Sequence, residues 1–369
     1  MKKVLMIVSW YTSKNESLTK GIFHYEQALA LKKNCGIDVA IYYPFDENIK
    51  NDFEKEITDD HIVVYRSSYR RSLITRWRQY ANAYKAIKSD FDFDIIHCQC
   101  AFQAGLVALY YKKKYGVRYC LTEHCPPQAM MLCMPFMHLL LDKIYENSYM
   151  LTTVSPYMQI ELNRIFRKKT FQTIYNGVSI AEITSNYNFN NDNWNVAIAS
   201  LFYSKTIKGY QYLLPAIAKF NEQSDKKIML HIIGDGVYKE YYQEFARKLG
   251  LGSYIFFYGQ LKKNDLYGIM RKMDFCVSAS IFESAGVFIE ESMMLGKPVL
   301  VTESGGGNSL VNDRTAIVVE KESVEALYRG LIKIINQIES YSEDYIKNYA
   351  YKNFSMAATT KSYEQIYNM

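Results

Sequence analysis

The chain has 369 residues and a formal net charge of +6, and 49% of its residues are hydrophobic. This length is more than one ordinary core accommodates, so we expect two domains. The mildly basic charge suits phosphate-bearing ligands or an anionic membrane surface, but it is too small to indicate a nucleic-acid partner, and we predict none.

Neither secretion nor a membrane span is indicated by the sequence. No apolar run reaches the length of a transmembrane helix, and the N-terminal MKKVLMIVSWY is too short for a signal peptide and lacks its cleavage site. The seven cysteines are scattered without a C-x-x-C pair, which is typical of reduced cysteines. We therefore predict a cytoplasmic protein.

Short apolar strands alternate with helical patterns along the first half of the chain. One helical pattern, IFHYEQALALKK, follows Gly21, and another surrounds 80–88. The predicted strands are 4–9, 39–43, 62–65, 95–98, 119–122 and 150–154. This alternation is typical of parallel βαβ units.

The same alternation restarts after a polar segment. Residues 185–194, SNYNFNNDNW, show no periodicity and predict a linker. A helix is predicted over 210–220, and strands over 196–201, 228–233, 254–257, 275–278 and 298–302. The fold class is therefore α/β, with two Rossmann-like doubly wound parallel-sheet domains over 1–185 and 186–342. We expect these domains to face each other across a ligand-binding cleft.

The stretch ESAGVFIEE places two glutamates eight residues apart around the start of a helix. Helical patterning over 287–295 ends at Gly296, so Glu283 lies in the preceding loop and Glu291 inside the helix. Their carboxylates are then about 12 Å apart, which would span from a sugar across a diphosphate to a ribose. The N–H groups of the first helical turn attract phosphate. The neighbouring Glu290 is predicted to lie at the surface.

This motif, followed by GKPV and SGG, resembles the donor-site motif of retaining GT-B glycosyltransferases of family 4. Further motifs of that family follow in its order along nearly the whole chain: D-I-I-H at 94–97, T-E-H at 122–124, N-G-V at 176–178, K-G-Y at 208–210, G-D-G at 234–236 and F-Y-G at 257–259. The resemblance implies a GT-B fold and a retaining hexosyltransferase. It would move a sugar from a nucleotide-sugar donor to an acceptor. From the basic N-terminal domain we expect a glycan or lipid-linked acceptor, in bacterial surface polysaccharide synthesis.

The resemblance also implies roles for single residues. Glu283, His124 and Lys208 would be catalytic, with Glu283 on the donor sugar and Lys208, or else Lys205, on the diphosphate. Glu291 would bind the ribose. The other donor-site positions would be Gly234, Gly259, Gly286 and Val287, and those on the acceptor side Gly21 and His97. No metal or other cofactor is implied, because fixed cations and a helix N-terminus would stabilise the leaving diphosphate.

The resemblance places the acceptor in the N-terminal domain, and a C-terminal helix within 343–369 would cross back to that domain. Three positions depart from the family pattern: Ser200 replaces an arginine, Ser309 a glutamate, and Gln99 the second histidine of H-x-H. Two alternatives therefore stay open. One is a nucleotide-sugar epimerase of similar fold, and the other is a catalytically silent subunit that binds nucleotide sugar.

Two other stretches permit a different chemistry. Asp92 and Asp94 form a D-x-D, the metal-binding pair of GT-A transferases, but their position at the entrance to a strand predicts a structural turn. Residues 61–89 contain seven Arg or Lys and no acidic residue. The part over 65–80 indicates either a solvated basic face or a peripheral contact with anionic lipid. The Met-rich 129–141 is interpreted as a core helix.

Overall fold

A computed structural model describes residues 2–13, 21–70, 72–125, 136–180 and 182–369. The chain forms two compact units, Met1–Gly177 with Met356–Met369, and Val178–Ser355. Each unit has its own hydrophobic core. Of the helices in these described ranges, none is both long enough and apolar enough to cross a membrane.

The first unit is built on an eight-stranded sheet with the order β3-β4-β2-β1-β5-β6-β7-β8. Its strands are β1 (Lys3–Val8), β2 (Asp38–Asp46), β3 (Phe53–Ile57), β4 (Val63–Ser68), β5 (Ile95–Gln99), β6 (Tyr119–Glu123), β7 (Met150–Thr153) and β8 (Phe171–Thr173). Neighbouring strands are parallel, except that β3 pairs with β4 in the antiparallel sense. The run Val4–Val8 of β1 is fully buried, as expected for a parallel sheet covered on both faces.

Within the part of the first unit that the structure describes, five helices precede the boundary. They are α1 (Ile22–Cys35), α2 (Leu73–Asp90), α3 (Leu106–Tyr115), α4 (Met137–Asn147) and α5 (Pro156–Ile165), with a short helical turn at Ala101–Gly105. The Met-rich stretch predicted as a core helix lies partly outside the described residues. Its described end begins α4, where Met137 is buried in the core.

The second unit contains a six-stranded parallel sheet with the order β11-β10-β9-β12-β13-β14. Its strands are β9 (Trp194–Ala199), β10 (Ile228–Ile233), β11 (Ile255–Gly259), β12 (Phe275–Ser278), β13 (Val299–Thr302) and β14 (Ala316–Val319). Its helices are α6 (Tyr210–Gln223), α7 (Lys239–Lys248), α8 (Lys263–Met270), α9 (Val287–Met294), α10 (Val324–Asn336) and α11 (Glu343–Phe354). The strand order reverses between β9 and β12, and such a switch point is where open α/β sheets bind ligands.

The last helix, α12 (Met356–Asn368), returns to the first unit and packs on α1. The predicted boundaries, 185/186 and 343, differ from those of the structure for two reasons. Ser185 belongs to the second unit because its Oγ donates to Asp265 at 2.6 Å. Helix α11 packs on α9, so the chain crosses back only at Met356.

Candidate functional site

The loops after three strands of the second sheet meet at its carboxyl edge through close backbone contacts. Gly234, after β10, donates its N–H to the carbonyl of Gly259 at 2.8 Å. A Cβ on Gly234 would lie 1.9 Å from the carbonyl oxygen of Ser200, and a Cβ on Gly209 would lie 1.8 Å from that of Ala279. Only glycine fits at these two positions. The G-D-G and K-G motifs therefore fix the geometry of this edge.

Glu283 and Lys208 come together at the switch point between β9 and β12. The Nζ of Lys208 donates to Oε1 of Glu283 at 2.6 Å, and the Oγ of Ser280 donates to the same oxygen at 2.7 Å. The backbone of Glu283 is held as well, since its N–H donates to the carbonyl of Ser304 at 2.9 Å. Both charged side chains stay partly exposed. A carboxylate and an ammonium group are thus presented together to solvent.

The two lysines considered for the diphosphate have different surroundings. Lys208 pairs with Glu283, whereas the Nζ of Lys205 lies 4.3 Å from the ring centroid of Tyr241. The carbonyl of Lys205 also accepts a hydrogen bond from Tyr242 on α7. Lys208 is therefore the lysine that the fold brings to the glutamate of the predicted motif.

Helix α9 begins at Val287, directly after Gly286, as the motif predicts. Glu291 on this helix is buried, and its Oε1 accepts a hydrogen bond from the hydroxyl of Tyr267 at 2.8 Å. The expectation that Glu290 lies at the surface is wrong, because its side chain is fully buried. Five consecutive residues of this short helix, 289–293, are buried, so the unit covers the helix on every side. Helical spacing in the sequence does not reveal this burial. Burial and the neighbouring Glu291 raise the pKa of Glu290 well above its usual range.

In the first unit, His124 follows β6 and is held by an amide pair. Its Nε2 donates to Oε1 of Gln99 at 2.6 Å, and Nε2 of Gln99 donates to Oε1 of Gln27 at 3.0 Å. The rings of Phe23 and Trp10 lie 5.1 and 6.0 Å from its own. Desolvation lowers the pKa of His124 to about 3, so the imidazole is neutral near pH 7. Gln99, which replaces the second histidine of the family pattern, thus sets the orientation of this ring.

The two residues predicted for the acceptor side differ in accessibility. Gly21 precedes α1, and a Cβ there would lie 2.9 Å from the carbonyl oxygen of Trp10, so it allows the loop after β1 to approach. His97 is fully buried on β5, and both ring nitrogens share hydrogen bonds, with Tyr367 at 2.6 Å and Thr122 at 2.7 Å. The assignment of His97 is therefore corrected: it is a packing residue, because no acceptor reaches its ring.

Two family models match adjoining parts of the chain. Residues 22–182 match the model described as Glycosyltransferase Family 4, and residues 181–353 match the one described as Glycosyl transferases group 1. A glycosyltransferase of Methanocaldococcus jannaschii is 27% identical over 322 residues, which cover 81% of this chain and 88% of the relative. The alpha-monoglucosyldiacylglycerol synthase of Streptococcus pneumoniae is 23% identical over 255 residues, covering 62% of this chain and 56% of that protein.

Solved structures agree with these matches in fold. Sucrose-phosphate synthase from Thermosynechococcus elongatus has a TM-score of 0.78 at 17% identity, with 100% of this chain and 98% of that one covered. HepE of Anabaena, in complex with UDP, has a TM-score of 0.77 at 17% identity, with both chains fully covered. The chain belongs to the GT-B glycosyltransferases.

One buried residue that the sequence did not single out positions His124 in this glycosyltransferase. Glu123 accepts backbone hydrogen bonds from Ala101 at 3.0 Å and from His124 and Cys125, both at 3.1 Å. The hydroxyl of Tyr145 donates to it at 3.0 Å. Burial raises the pKa of this carboxyl group. The T-E-H motif gave a signal for Glu123, but only the fold shows that it holds the loop that carries the histidine.

Glu123 also belongs to a cluster with metal-ligand atom types. Within the described ranges, Cys100, Glu123 and Cys125 form one such group, with ligand atoms within 4.8 Å of one another. Both oxygens of Glu123 already accept hydrogen bonds, and burial raises the pKa of the Cys100 thiol.

Asp92 and Asp94 lie at the other, amino end of β5. There Asp92 pairs with Lys88 at 2.6 Å, and Asp94 accepts the N–H of Lys3 at 2.8 Å.

A pocket rich in aromatic side chains opens at the carboxyl ends of β1, β2 and β4 in the glycosyltransferase's first unit. We call it the aromatic pocket; its volume is about 470 Å³, and it is lined by Ser9, Trp10, Ser13, Tyr43, Phe45, Glu47, Asn48, Tyr69 and Gln103. Gln103 holds a left-handed φ of 61°, which is unusual for a residue other than glycine. Residues held this way cluster at ligand sites. Rings combined with amide, hydroxyl and carboxylate groups suit a polyhydroxylated ligand.

Proposed function

We propose that this glycosyltransferase transfers a sugar from a nucleoside-diphosphate donor with retention at the anomeric carbon and without a metal ion. The observation that carries the proposal is the pair of Lys208 and Glu283 at the switch point of the second sheet. The start of α9 lies only a few residues further along the same loop. Glu283 suits the hydroxyls on the sugar of such a donor. Lys208 and the start of α9 suit the negative charge on its diphosphate.

The leaving diphosphate sets the main chemical task. During transfer the bond from the anomeric carbon to the diphosphate breaks, the acceptor oxygen bonds to that carbon on the same face, and the acceptor proton passes to the diphosphate. Lys208 would turn from Glu283 to the developing negative charge, and the first N–H groups of α9 would add to it. Glu283 would then hold hydroxyls of the sugar, and Glu291 the ribose diol. His124, being neutral, would donate or accept a hydrogen bond at the sugar.

We place the acceptor in the aromatic pocket of the first unit. Trp10 lines this pocket, and its ring lies 6.0 Å from that of His124. Ring faces pack against the C–H faces of sugars, while Glu47 and Asn48 offer hydrogen bonds to hydroxyl groups. The acceptor would be a glycan or a lipid-linked saccharide of a bacterial cell surface. HepE was solved with UDP and with UDP-glucose, which supports a nucleotide sugar as the donor. The pneumococcal relative is named for a glucosylated diacylglycerol, which supports a lipid-linked acceptor.

The first test measures the melting temperature with a panel of nucleoside diphosphates, with and without EDTA. A ligand that binds only the folded protein raises that temperature. We expect a shift with one nucleoside diphosphate that is indifferent to EDTA and is lost in Lys208→Gln but kept in Lys205→Gln. A shift that requires a divalent cation would contradict metal independence. No shift with any nucleotide would favour a different donor site.

The second test follows the sugar itself. Wild-type protein with a nucleotide sugar and a saccharide acceptor should release nucleoside diphosphate and give a product whose anomeric configuration, read by NMR, equals that of the donor. Glu283→Ala should lower kcat/KM by about 10²-fold or more, because the sugar is no longer held in place. Glu320→Ala, an exposed carboxylate of the same unit, is the matched control. An inverted product would refute retention, and an epimerised nucleotide sugar without diphosphate release would indicate an epimerase.

A further inference from the structure

Gln103, which lines the aromatic pocket, has a backbone conformation that glutamine rarely adopts. Its φ is 61° and its ψ is −73°. These values are close to those of the classic γ-turn, which is rare and strained. Glycine would adopt them without the steric cost that a side chain brings. A glutamine at this position therefore lowers the stability of the fold, which calls for a functional reason.

The conformation of Gln103 is fixed from both sides by one hydroxyl group. The Oγ of Ser9 donates to the carbonyl of Phe102 and accepts the N–H of Ala104 at 3.2 Å. Ser9 itself is buried at the end of β1. The peptide groups before and after Gln103 are thus held by the same atom, and strain persists where the surroundings fix it in this way. The direction in which the Gln103 side chain leaves the backbone is therefore set by the interior of the unit.

Other described residues with a positive φ separate a turn from a site. Besides the glycines and Gln103, they are His61, Cys100 and Glu322. His61 and Glu322 are exposed in connections between elements, where a positive φ helps the chain to turn. Cys100 is buried and precedes Gln103 in the loop after β5. Gln103 differs from these three because it lines the aromatic pocket, and strained residues at a cavity are typical of ligand contacts.

The side-chain amide of Gln103 suits a sugar. It forms no hydrogen bond with another of the described residues, and the residue is half-buried. An amide group offers both an acceptor oxygen and donor N–H groups, so it can bond two neighbouring hydroxyl groups at once. Trp10 lines the same pocket, and its ring lies 6.0 Å from that of His124. A sugar bound at Gln103 would therefore lie near the histidine proposed to act at the transferred sugar.

We propose that Gln103 selects the acceptor, because its amide hydrogen-bonds two neighbouring hydroxyl groups of the acceptor sugar in the aromatic pocket. The acceptor class is thus a saccharide with a vicinal diol. A sugar that lacks one of the two hydroxyl groups leaves part of the amide unpaired and is rejected for that reason. This inference rests on the proposed function, since it takes the aromatic pocket as the acceptor site.

Transfer to deoxy acceptors tests the contact. The acceptors are octyl glycosides of glucose, galactose and N-acetylglucosamine, followed by the monodeoxy derivatives of the best of them. Removal of either hydroxyl group at Gln103 should lower the wild-type kcat/KM about tenfold, the effect of one hydrogen bond. Gln103→Met should lose about as much with the intact acceptor and should use the intact and deoxy acceptors equally well. Gln172→Met, at an exposed position on β8, is the matched control and should keep the wild-type preference.

A glycine variant separates loss of the contact from loss of the fold. Gln103→Gly should raise the melting temperature by about 2–4 °C, because glycine relieves the strained backbone. The same variant should lose as much kcat/KM as Gln103→Met. Glu322→Gly, at an exposed turn with a φ of 59°, is the control and should keep wild-type transfer. If Gln103→Gly melts higher and transfers normally, or melts lower than the wild type, the inference is overturned.

Failure of this inference is distinguishable from failure of the proposed transfer. The melting shift with a nucleoside diphosphate reports the donor site alone, and Gln103→Met should keep it. If the wild type shows this shift but uses none of the octyl glycosides, or if Gln103→Met keeps the preference for the intact acceptor, the role of Gln103 is overturned and the donor site stands. If no nucleotide shifts the melting temperature, the donor site fails. Gln103 is then tested by glycoside binding, read from tryptophan fluorescence, which Gln103→Met should weaken and Gln172→Met should not; equal binding by the two variants would overturn the inference.

Discussion

Glu290 is a buried carboxyl group that no described residue hydrogen-bonds. We predict that Glu290→Met, which fills a similar volume without a polar atom, raises the free energy of unfolding by about 2 kcal/mol near pH 4.5, from removal of the unpaired group alone. The folded protein keeps Glu290 protonated, whereas the unfolded chain ionises it above its ordinary pKa of 4.5. Wild-type stability therefore falls by about 1.4 kcal/mol per pH unit above that value until the raised pKa is reached, and the variant lacks this loss.

Urea unfolding at about pH 5 and about pH 7.5 measures this difference. The gain of Glu290→Met over the wild type should be larger at the higher pH. Glu339→Met, at an exposed position of the same unit, should change stability by no more than about 0.5 kcal/mol at either pH. A variant that is destabilised, or a gain that is independent of pH, would mean that Glu290 is ionised and stabilised in the folded state.

His24 presents the opposite sign of pH dependence. It is fully buried, and neither ring nitrogen has a hydrogen-bond partner among the described residues. Burial, with His124 and His97 nearby, lowers its pKa well below the ordinary value of 6.5. The unfolded chain thus takes up a proton below that pH, and stability contributed by the neutral ring is lost as the pH falls.

We predict that His24→Phe removes this loss while keeping the ring contacts with Phe23 and Trp10. The melting temperature of the variant, relative to the wild type, should rise as the pH is lowered from about 7.5 to about 5.5, where His24 alone costs the wild type about 1.4 kcal/mol. His61→Asn, at an exposed position, is the control. A constant difference between variant and wild type across this range would show that His24 does not set the pH dependence.

Among the elements, the start of α6 shows how backbone contacts build the donor site. Gly209 adopts a left-handed φ of 69°, and a Cβ there would lie 1.8 Å from the carbonyl oxygen of Ala279. Gly250 has a similar φ of 71° but nothing within 4 Å of such a Cβ. Gly250→Ala should cost about 1 kcal/mol of stability, from the backbone strain alone. Gly209→Ala should cost several times more, since the loop after β12 must move.

Denaturant unfolding together with nucleoside-diphosphate binding checks this pair of alanine variants. Gly209 follows Lys208 directly, so Gly209→Ala should also weaken nucleotide binding under conditions where the variant remains folded. Gly250→Ala should bind the nucleotide as the wild type does. Equal losses of stability in the two variants would show that the contact with Ala279 yields at little cost.

The elements also show what the sequence could and could not predict. The predicted strands 228–233 and 275–278 match β10 and β12, because buried parallel strands read as apolar runs bounded by turn residues. Strand β3 was missed because its sequence, FEKEI, is charged and largely exposed at the sheet edge. Strand β8 was missed because it has only three residues.

At the scale of the whole molecule, sequence order located the donor motif but not the pockets. Glu283 and Gly286 are close in sequence, and Lys208 begins the K-G-Y motif. The family pattern could therefore assign all three residues to one donor site. The aromatic pocket instead combines Ser9, Tyr43 and residues from two further loops, which only the strand order makes neighbours. The burial of Glu290 likewise depends on how the second unit packs around α9, which helical spacing in the sequence does not show.

The return of the chain to the first unit is the other feature of the whole molecule that long-range contacts determine. Helix α12 covers β5 and β6 through two tyrosines: the hydroxyl of Tyr363 shares a hydrogen bond of 3.0 Å with Thr122, and that of Tyr367 one of 2.6 Å with Nδ1 of His97. The last residues of the chain therefore complete the interior of its first unit, while α11, directly before them, belongs to the second.

We predict that Tyr367→Phe lowers the free energy of unfolding by about 1–3 kcal/mol, because the buried Nδ1 of His97 is left without a partner. Tyr351→Phe, on the exposed face of α11, removes a hydroxyl from the other unit and should be nearly neutral. Urea unfolding measures both variants, and titration with a nucleoside diphosphate checks the donor site. Tyr367→Phe should keep the wild-type Kd, since the residues proposed to hold the nucleoside diphosphate, Lys208 and Glu291, lie in the second unit. Equal stability of the two variants would show that the hydrogen bond between Tyr367 and His97 does not hold the C-terminal helix, and a weakened Kd would show that this helix influences the donor site.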